Sequence, residues 1–195
     1  VKPGMSTYQI DKIGEEIIRS YGCIPTCLGY EGYPASLCIS VNDEVVHGIP
    51  RKDRFVENGD IVSLDFCLSY KGYQSDCART LAIGEISDDA KQLIEVTKQC
   101  FFEGIKYAKE GCHLYQISAA INDYADKFGY GVVRDLVGHG IGREMHEDPQ
   151  IPNFRQRRRG MKLQAGMTLC IEPMINMGRA DVAFMDDDWT VVTDD

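Results

Sequence analysis

A duplicated α+β fold is predicted by three features of this 195-residue chain. First, KPGMSTYQIDKIGEEIIRSYG (Lys2–Gly22) returns in altered form as KEGCHLYQISAAINDYADKFG (Lys109–Gly129), an offset of 107 residues. A fixed period of this kind marks an internal repeat. Second, patterns of helical period alternate with short runs rich in β-branched and apolar residues. Third, two of those runs carry a carboxylate at the same offset: Asp65 in DIVSLDFCL (Asp60–Leu68) and Glu172 in MTLCIEPMI (Met167–Ile175). Burying a lone carboxylate costs several kcal/mol unless it is paired or ligates a metal. Both acids therefore need a partner.

In chain order, a turn at Lys2–Gly4 leads into a helix with Ile10, Ile13 and Ile17 on one face. VVHGIP (Val45–Pro50) reads as an apolar run ending in a turn. Asp60–Leu68 reads as a buried strand, and Tyr70-Lys71-Gly72-Tyr73 as the turn to a second strand carrying Asp76. An even-length hairpin loop puts Asp65 and Asp76 on the same face, directly opposite or one pair displaced. Ser87 can cap a following helix whose first turn holds Asp88 and Asp89, with Gly111 just past its end. Its apolar stripe runs through Ala90, Leu93, Ile94, Thr97, Phe101, Ile105 and Ala108. The second copy of the repeat places Ile117, Ile121 and Tyr124 on one helix face, and Gly166 matches Gly59. Subtracting the offset from the central helix puts its counterpart before residue 1, so a helix preceding Val1 is expected. The whole reads as one domain over 1–195, with pseudo-repeats of roughly 1–86 and 87–195.

Composition narrows the function classes. No run approaches the roughly 18 apolar residues of a membrane helix, and the polar opening VKPG is not a signal peptide. A formal net charge of −9 disfavours general binding to nucleic acid or anionic membranes. The basic run RQRRRG (Arg155–Gly160) reads as a solvated loop, with contact to an anionic partner such as RNA as the sharper alternative, and a ribosome contact is a further expectation. Eight cysteines without a CxxC pair fit buried free thiols in a reducing cytoplasm better than a disulfide framework. A zinc site at Cys23 and Cys27 is the minor alternative.

The polar residues suggest a metal centre. Carboxylates as close as Asp65 and Asp76 repel, and a divalent cation removes the repulsion. His139 lies between glycines in LVGHGIG, His47 at an apolar-to-turn junction and His146 in MHEDP. Three carboxylates taken as strand-borne, with one imidazole, suit Mn, Fe(II), Co or Zn in a hydrolytic pair and disfavour a thiolate zinc finger.

Together CLGYEGYPASLCIS, VVHGIP, GDIVSLDF, GHGIGREMHEDP, AGMTLCIEPM and DWTVVT give the chain a resemblance to type I methionine aminopeptidases, which have the duplicated pita-bread fold. It extends from Val1 to Asp195 with the family's motif order. The resemblance implies hydrolytic removal of N-terminal methionine from nascent proteins and peptides, by a monomer using two divalent ions. Asp65 and Asp76 would be ligands, with Asp76 bridging both ions, and His139 and Glu172 would ligate the other ion. His47 would contact the substrate backbone and His146 would stabilise the reacting carbonyl. Cys27, Tyr30, Tyr33, Cys38, Met145 and Trp189 match the methionine side-chain pocket. The family pattern also implies a further glutamate on a strand beyond Asp195, so the chain reads as a fragment. Ser75 stands where the family has glycine. The rival readings are a non-catalytic pita-bread module that binds peptides and a proline-directed peptidase of the same fold.

Overall fold

The computed structural model describes residues 1–195. Its helices are α1 (Thr7–Ser20), α2 (Asp88–Ile105) and α3 (Leu114–Asp126). Its strands are β1 (Ile24–Pro25), β2 (Cys38–Val41), β3 (Glu44–Val46), β4 (Ile61–Tyr70), β5 (Tyr73–Ala82), β6 (Gly131–Val132), β7 (Gly138–Gly140), β8 (Glu147–Ile151), β9 (Leu169–Cys170), β10 (Ile175–Asn176), β11 (Val182–Phe184) and β12 (Val191–Thr193). Two compact units emerge. One comprises Val1–Lys91, Gly142–Met145 and Ala183–Val192; the other comprises Gln92–Ile141, His146–Val182 and Thr193–Asp195.

The first unit is organised by β4. Along one edge it pairs antiparallel with β5, and along the other with β1 and then β2. Helix α1 starts at a reciprocal cap: Gln9 N–H donates to Ser6 Oγ and Ser6 N–H to Gln9 Oε1. Ile10 and Ile18 pack on Leu37, Ile39, Val41, Val56, Val62 and Ile83. The helix can approach closely because Gly14 lacks a Cβ, which would fall 2.7 Å from Leu37 Cδ2. This contact corrects the expected face. Ile13 and Ile17 are 47% and 53% exposed, because the buried stripe runs through Thr7, Ile10, Asp11 and Ile18. The strand at Asp60–Leu68 forms as expected, but it is half-buried rather than wholly interior.

In the second unit α2 and α3 pack together, with Val132, Ile151, Leu163 and Ile175 completing the core. The buried line on α2 is Val96, Cys100 and Gly104, whereas Ile105 and Ala108 of the expected stripe are exposed. Gly104 sets the line, since a Cβ there would lie 2.9 Å from Ile121 Cγ1. Ala90 N–H donates to Ser87 Oγ at the start of α2. Three short strands associate in the order β8-β7-β9. Arg155 ion-pairs with Asp123 of α3, and Arg157, Arg158 and Arg159 are exposed, the arrangement of a solvated loop.

The repeat recurs as backbone hydrogen bonds. Gly4 N–H donates to Val56 O, and Gly111 N–H to Leu163 O. Val56 N–H donates to Met5 O, and Leu163 N–H to Cys112 O. The bridge Ser6↔Phe55 is matched by His113↔Lys162. Each partner is displaced by the offset that relates the two sequence copies. Gly4 and Gly111 share φ +84°, a left-handed conformation that side chains disfavour.

Asp11 is the buried polar anchor of the first unit. It is 1% exposed, and its Oδ1 accepts the N–H groups of Ser36 and Leu37, both at 2.9 Å. Hydrogen bonds to a charged group contribute about 1.5–3 kcal/mol each, and stranded donors add a penalty. Asp11→Ala should lower the unfolding free energy by about 3 kcal/mol in urea titration. A change below about 0.5 kcal/mol would refute this role.

Candidate metal and substrate site

The β4–β5 register places the first pair of acids. Cys67 pairs with Asp76, and Asp65 with Ala78. Alternation along a strand puts Asp65 and Cys67 on one face, so both carboxylates share it, one pair displaced. On the other edge of β4, Cys38 of β2 pairs with Asp65. Both acids are half-buried, and Cys67 Sγ donates to Asp76 Oδ2 at 3.1 Å.

Beside them lies an apolar cluster. Cys27, Tyr33, Ala35, Cys38, Cys67 and Met145 are buried together, flanked by Tyr30, Ile49 and Trp189. All six residues expected to line the side-chain pocket are among them. The sequence reading missed Ala35, Ile49 and Cys67; the strand alternation that singles out Asp65 points to Cys67 as well. Tyr33 hydroxyl lies 2.9 Å from Gly48 O and 3.1 Å from Leu37 O, and burial pushes its pKa far above the ordinary phenol range. Its ring meets Trp189 edge-on at 5.0 Å. Trp189 in turn lies 6.2 Å from His47, which adopts φ +59°. The next residue, Gly48, is where β2 comes closest: a Cβ would sit 2.3 Å from Ile39 O. A hydrogen bond from the Cys38 thiol, with the Cys67 backbone N–H donating at 3.3 Å, holds Cys27 below the ordinary thiol pKa range.

The second unit presents an imidazole and a carboxylate. His139 is the central residue of β7, 7% exposed. Its Nδ1 lies 2.7 Å from Gly140 O. A carbonyl only accepts, so Nδ1 carries the proton and Nε2 turns towards Glu172 Oε1 at 3.4 Å. Two donors about 2.1 Å from one cation at a tetrahedral angle are themselves about 3.4 Å apart. This pair therefore fits a shared divalent ion, and an oxygen and imidazole donor set suits Mn, Fe, Co or Zn. Glu172 is not strand-borne, as the sequence suggested; it lies between β9 and β10. Asn153, wholly buried, fixes that segment by donating to Glu172 O at 2.7 Å. The exposed His146 ring stands edge-on to His139 at 4.3 Å.

The duplicated α+β fold is that of the pita-bread class of hydrolytic metal enzymes, and the chain belongs to metallopeptidase family M24, which it matches over residues 1–193. Its relatives include methionine aminopeptidases. It is 53% identical to the methionine aminopeptidase of Clostridium acetobutylicum over 194 residues, covering 100% of this chain and 78% of the relative. Identity to methionine aminopeptidase 1 of Bacillus subtilis is 47%, with the same coverage. The crystal structure of methionine aminopeptidase from Rickettsia prowazekii superposes with a TM-score of 0.97 at 40% identity, over 100% of this chain and 78% of that one. The prolidase of Pyrococcus furiosus, at 21% identity and a TM-score of 0.71, over 98% of this chain and 52% of that one, shares the fold alone.

β7 admits no side chain at its ends. A Cβ on Gly138 would fall 2.2 Å from Cys170 O, and one on Gly140 would fall 2.3 Å from Asp148 O. Neither obstacle is a flexible side chain. Gly138→Ala should cost about 1–3 kcal/mol, lower Tm and shift the His139 imidazole NMR resonance. An unchanged Tm and resonance would show that β7 does not depend on this close approach.

Proposed function

We infer that this chain is a metal-dependent aminopeptidase that removes the N-terminal methionine from nascent proteins and peptides. The observation that carries the reading is the pairing of Cys38 with Asp65 and of Cys67 with Asp76. It sets a pocket of thiols, thioether and aromatic rings beside the paired carboxylates. Such walls suit an unbranched, polarisable thioether. Adjacency to the carboxylates confines the reacting peptide bond to the first residue of a bound chain. The eight free cysteines support a reducing compartment such as the cytoplasm, and no helix is long and apolar enough to cross a membrane.

Asp65 and Asp76 in the first unit, and His139 and Glu172 in the second, would each hold a divalent ion. Such a pair supplies Lewis acidity and brings the pKa of water near neutrality. The protein groups do the rest. Nδ1–H of His139, tied to Gly140 O, keeps Nε2 available as a ligand. His146 can donate to the oxygen that gains charge as the peptide carbonyl becomes tetrahedral. His47 meets the substrate backbone, and Trp189 and Tyr33 enclose the methionine side chain.

Two measurements test the reading. Asp76→Asn should lose at least one ion per chain by elemental analysis, and activity on a Met-Ala-Ser peptide should fall at least 10–100-fold, about the loss seen for supporting ligand changes. Unchanged stoichiometry overturns the ligand assignment. Met-Ala-Ser should be cleaved in preference to Leu-Ala-Ser by about 10–200-fold in kcat/KM, the range for one apolar-group difference. Equal values would rule out the pocket.

A further inference from the structure

Trp189 is the only tryptophan of the chain, and it flanks the apolar cluster of the first unit. Its ring meets Tyr33 edge-on at 5.0 Å and lies 6.2 Å from His47. Yet it sits on the turn between β11 and β12, not on a strand. A ring on a turn is only as well placed as the backbone that carries it. Two ties hold that backbone. At the base of the turn, Met185 N–H donates to Thr190 O at 2.8 Å, and Val191, wholly buried, pairs with Val46 of β3. Within the turn the tie is the Asp187 carboxylate. Its Oδ1 accepts the N–H groups of Trp189 at 3.0 Å and Thr190 at 2.7 Å, and its Oδ2 accepts the Thr190 hydroxyl at 2.7 Å. Asp187 is exposed, so accepting these bonds costs it little desolvation. Asp188, at φ +65°, turns the chain between Asp187 and the indole, in a region that aspartate adopts more readily than most side chains.

We propose that Asp187 is a positioning residue whose three hydrogen bonds hold Trp189 against Tyr33 and His47 and so set the preference for methionine at the first position of the substrate. Every one of the three goes to Trp189 or to the residue after it, so all bear on the point where the indole is attached. Without them the turn keeps its pairing at Val191 but loses the anchors nearest the ring. Edge-to-face rings favour centroids about 4.5–7 Å apart, so an indole that swings outward loses Tyr33 as a neighbour too. The loosened wall would then separate an unbranched thioether from a branched leucine less sharply. This consequence for specificity rests on the aminopeptidase reading; the placement of the ring does not.

The test follows Trp189 by its own fluorescence in the purified protein. With one tryptophan present, emission under tryptophan-selective excitation comes from this ring alone. In Asp187→Ala the emission should move to longer wavelength and become more open to quenching by acrylamide, with far-UV circular dichroism like that of the unaltered protein. Asp187→Asn, whose amide oxygen still accepts both N–H groups, should keep the original emission. So should Asp186→Ala, which removes only the adjacent charge. Thr190→Val removes the hydroxyl bond and should shift the emission in the same direction by less.

On peptides, Asp187→Ala should raise KM for Met-Ala-Ser with kcat retained, the mark of binding lost equally from ground and transition states. The preference for Met-Ala-Ser over Leu-Ala-Ser, about 10–200-fold in kcat/KM, should fall towards equality in Asp187→Ala and persist in Asp187→Asn. Unchanged emission and quenching in Asp187→Ala overturn the proposal. An equal shift in Asp187→Asn or Asp186→Ala overturns it too, because charge rather than accepted hydrogen bonds would then be responsible. A shifted emission with the Met-to-Leu preference intact overturns the role in specificity. The shift in Asp187→Ala with rescue in Asp187→Asn, found in a protein that cleaves no Met-Ala-Ser, would uphold the placement of Trp189 and sink the aminopeptidase reading.

Discussion

Pairing of β4 with β5 is unbroken from Ile61↔Ala82 to Tyr70↔Tyr73, and its register is the constraint on which the first unit depends. A slip by one residue would leave Asp65 and Cys67 on the face opposite to Asp76. The register is held from several sides. Val62 is wholly buried in the core below, Ser63 and Thr80 hydroxyls meet at 2.8 Å, and β2 and β1 occupy the other edge. Two like charges on one face oppose this arrangement. The burial and hydrogen bonding of ten paired residues oppose that repulsion.

The second unit meets the same demand with less regular structure. Its strands are two to five residues long, so register alone cannot aim its donors. Close backbone approach substitutes for length. Glycines on both sides of His139 let the neighbouring chains come within distances no Cβ permits, and the imidazole is then fixed by the Gly140 carbonyl. Glu172 lies outside any strand and is held through its backbone carbonyl by Asn153 instead. Related sequences thus orient a carboxylate by two devices: a long hairpin in one unit, and a buried amide in the other.

Placing thiols next to carboxylates has chemical consequences beyond packing. Cys67 donates to Asp76 and also touches Cys27, so one side chain links the acid pair to the pocket wall. Tyr33 serves the wall differently, with its hydroxyl set between the Leu37 and Gly48 carbonyls of the turn region that leads from His47. The wall is therefore tied to the turn after His47 through backbone carbonyls and to Asp76 through a thiol. The Lys12–Glu15 and Arg51–Asp53 ion pairs lie on the surface of this unit.

The sequence by itself determined the duplication, the helices, the hairpin and the shared face of Asp65 and Asp76. Each follows from a local period or a fixed offset, and local geometry obeys those rules. Its motifs also named six side chains that gather in the cluster around Cys27 and Tyr33. Tertiary structure alone decided which apolar residues are interior. Ile13 and Ile17 have the right spacing yet face outward, because the sheet approaches α1 at Gly14, and α2 is buried along Cys100 and Gly104 for the same reason. A glycine adds nothing to a hydrophobic pattern, yet it sets where two elements touch. The tautomer of His139, the strandless position of Glu172 and the meeting of Cys27 with Cys67 were likewise beyond local reading. Each depends on contacts between segments 33 or more residues apart in the chain, or on a carbonyl direction that no residue type encodes.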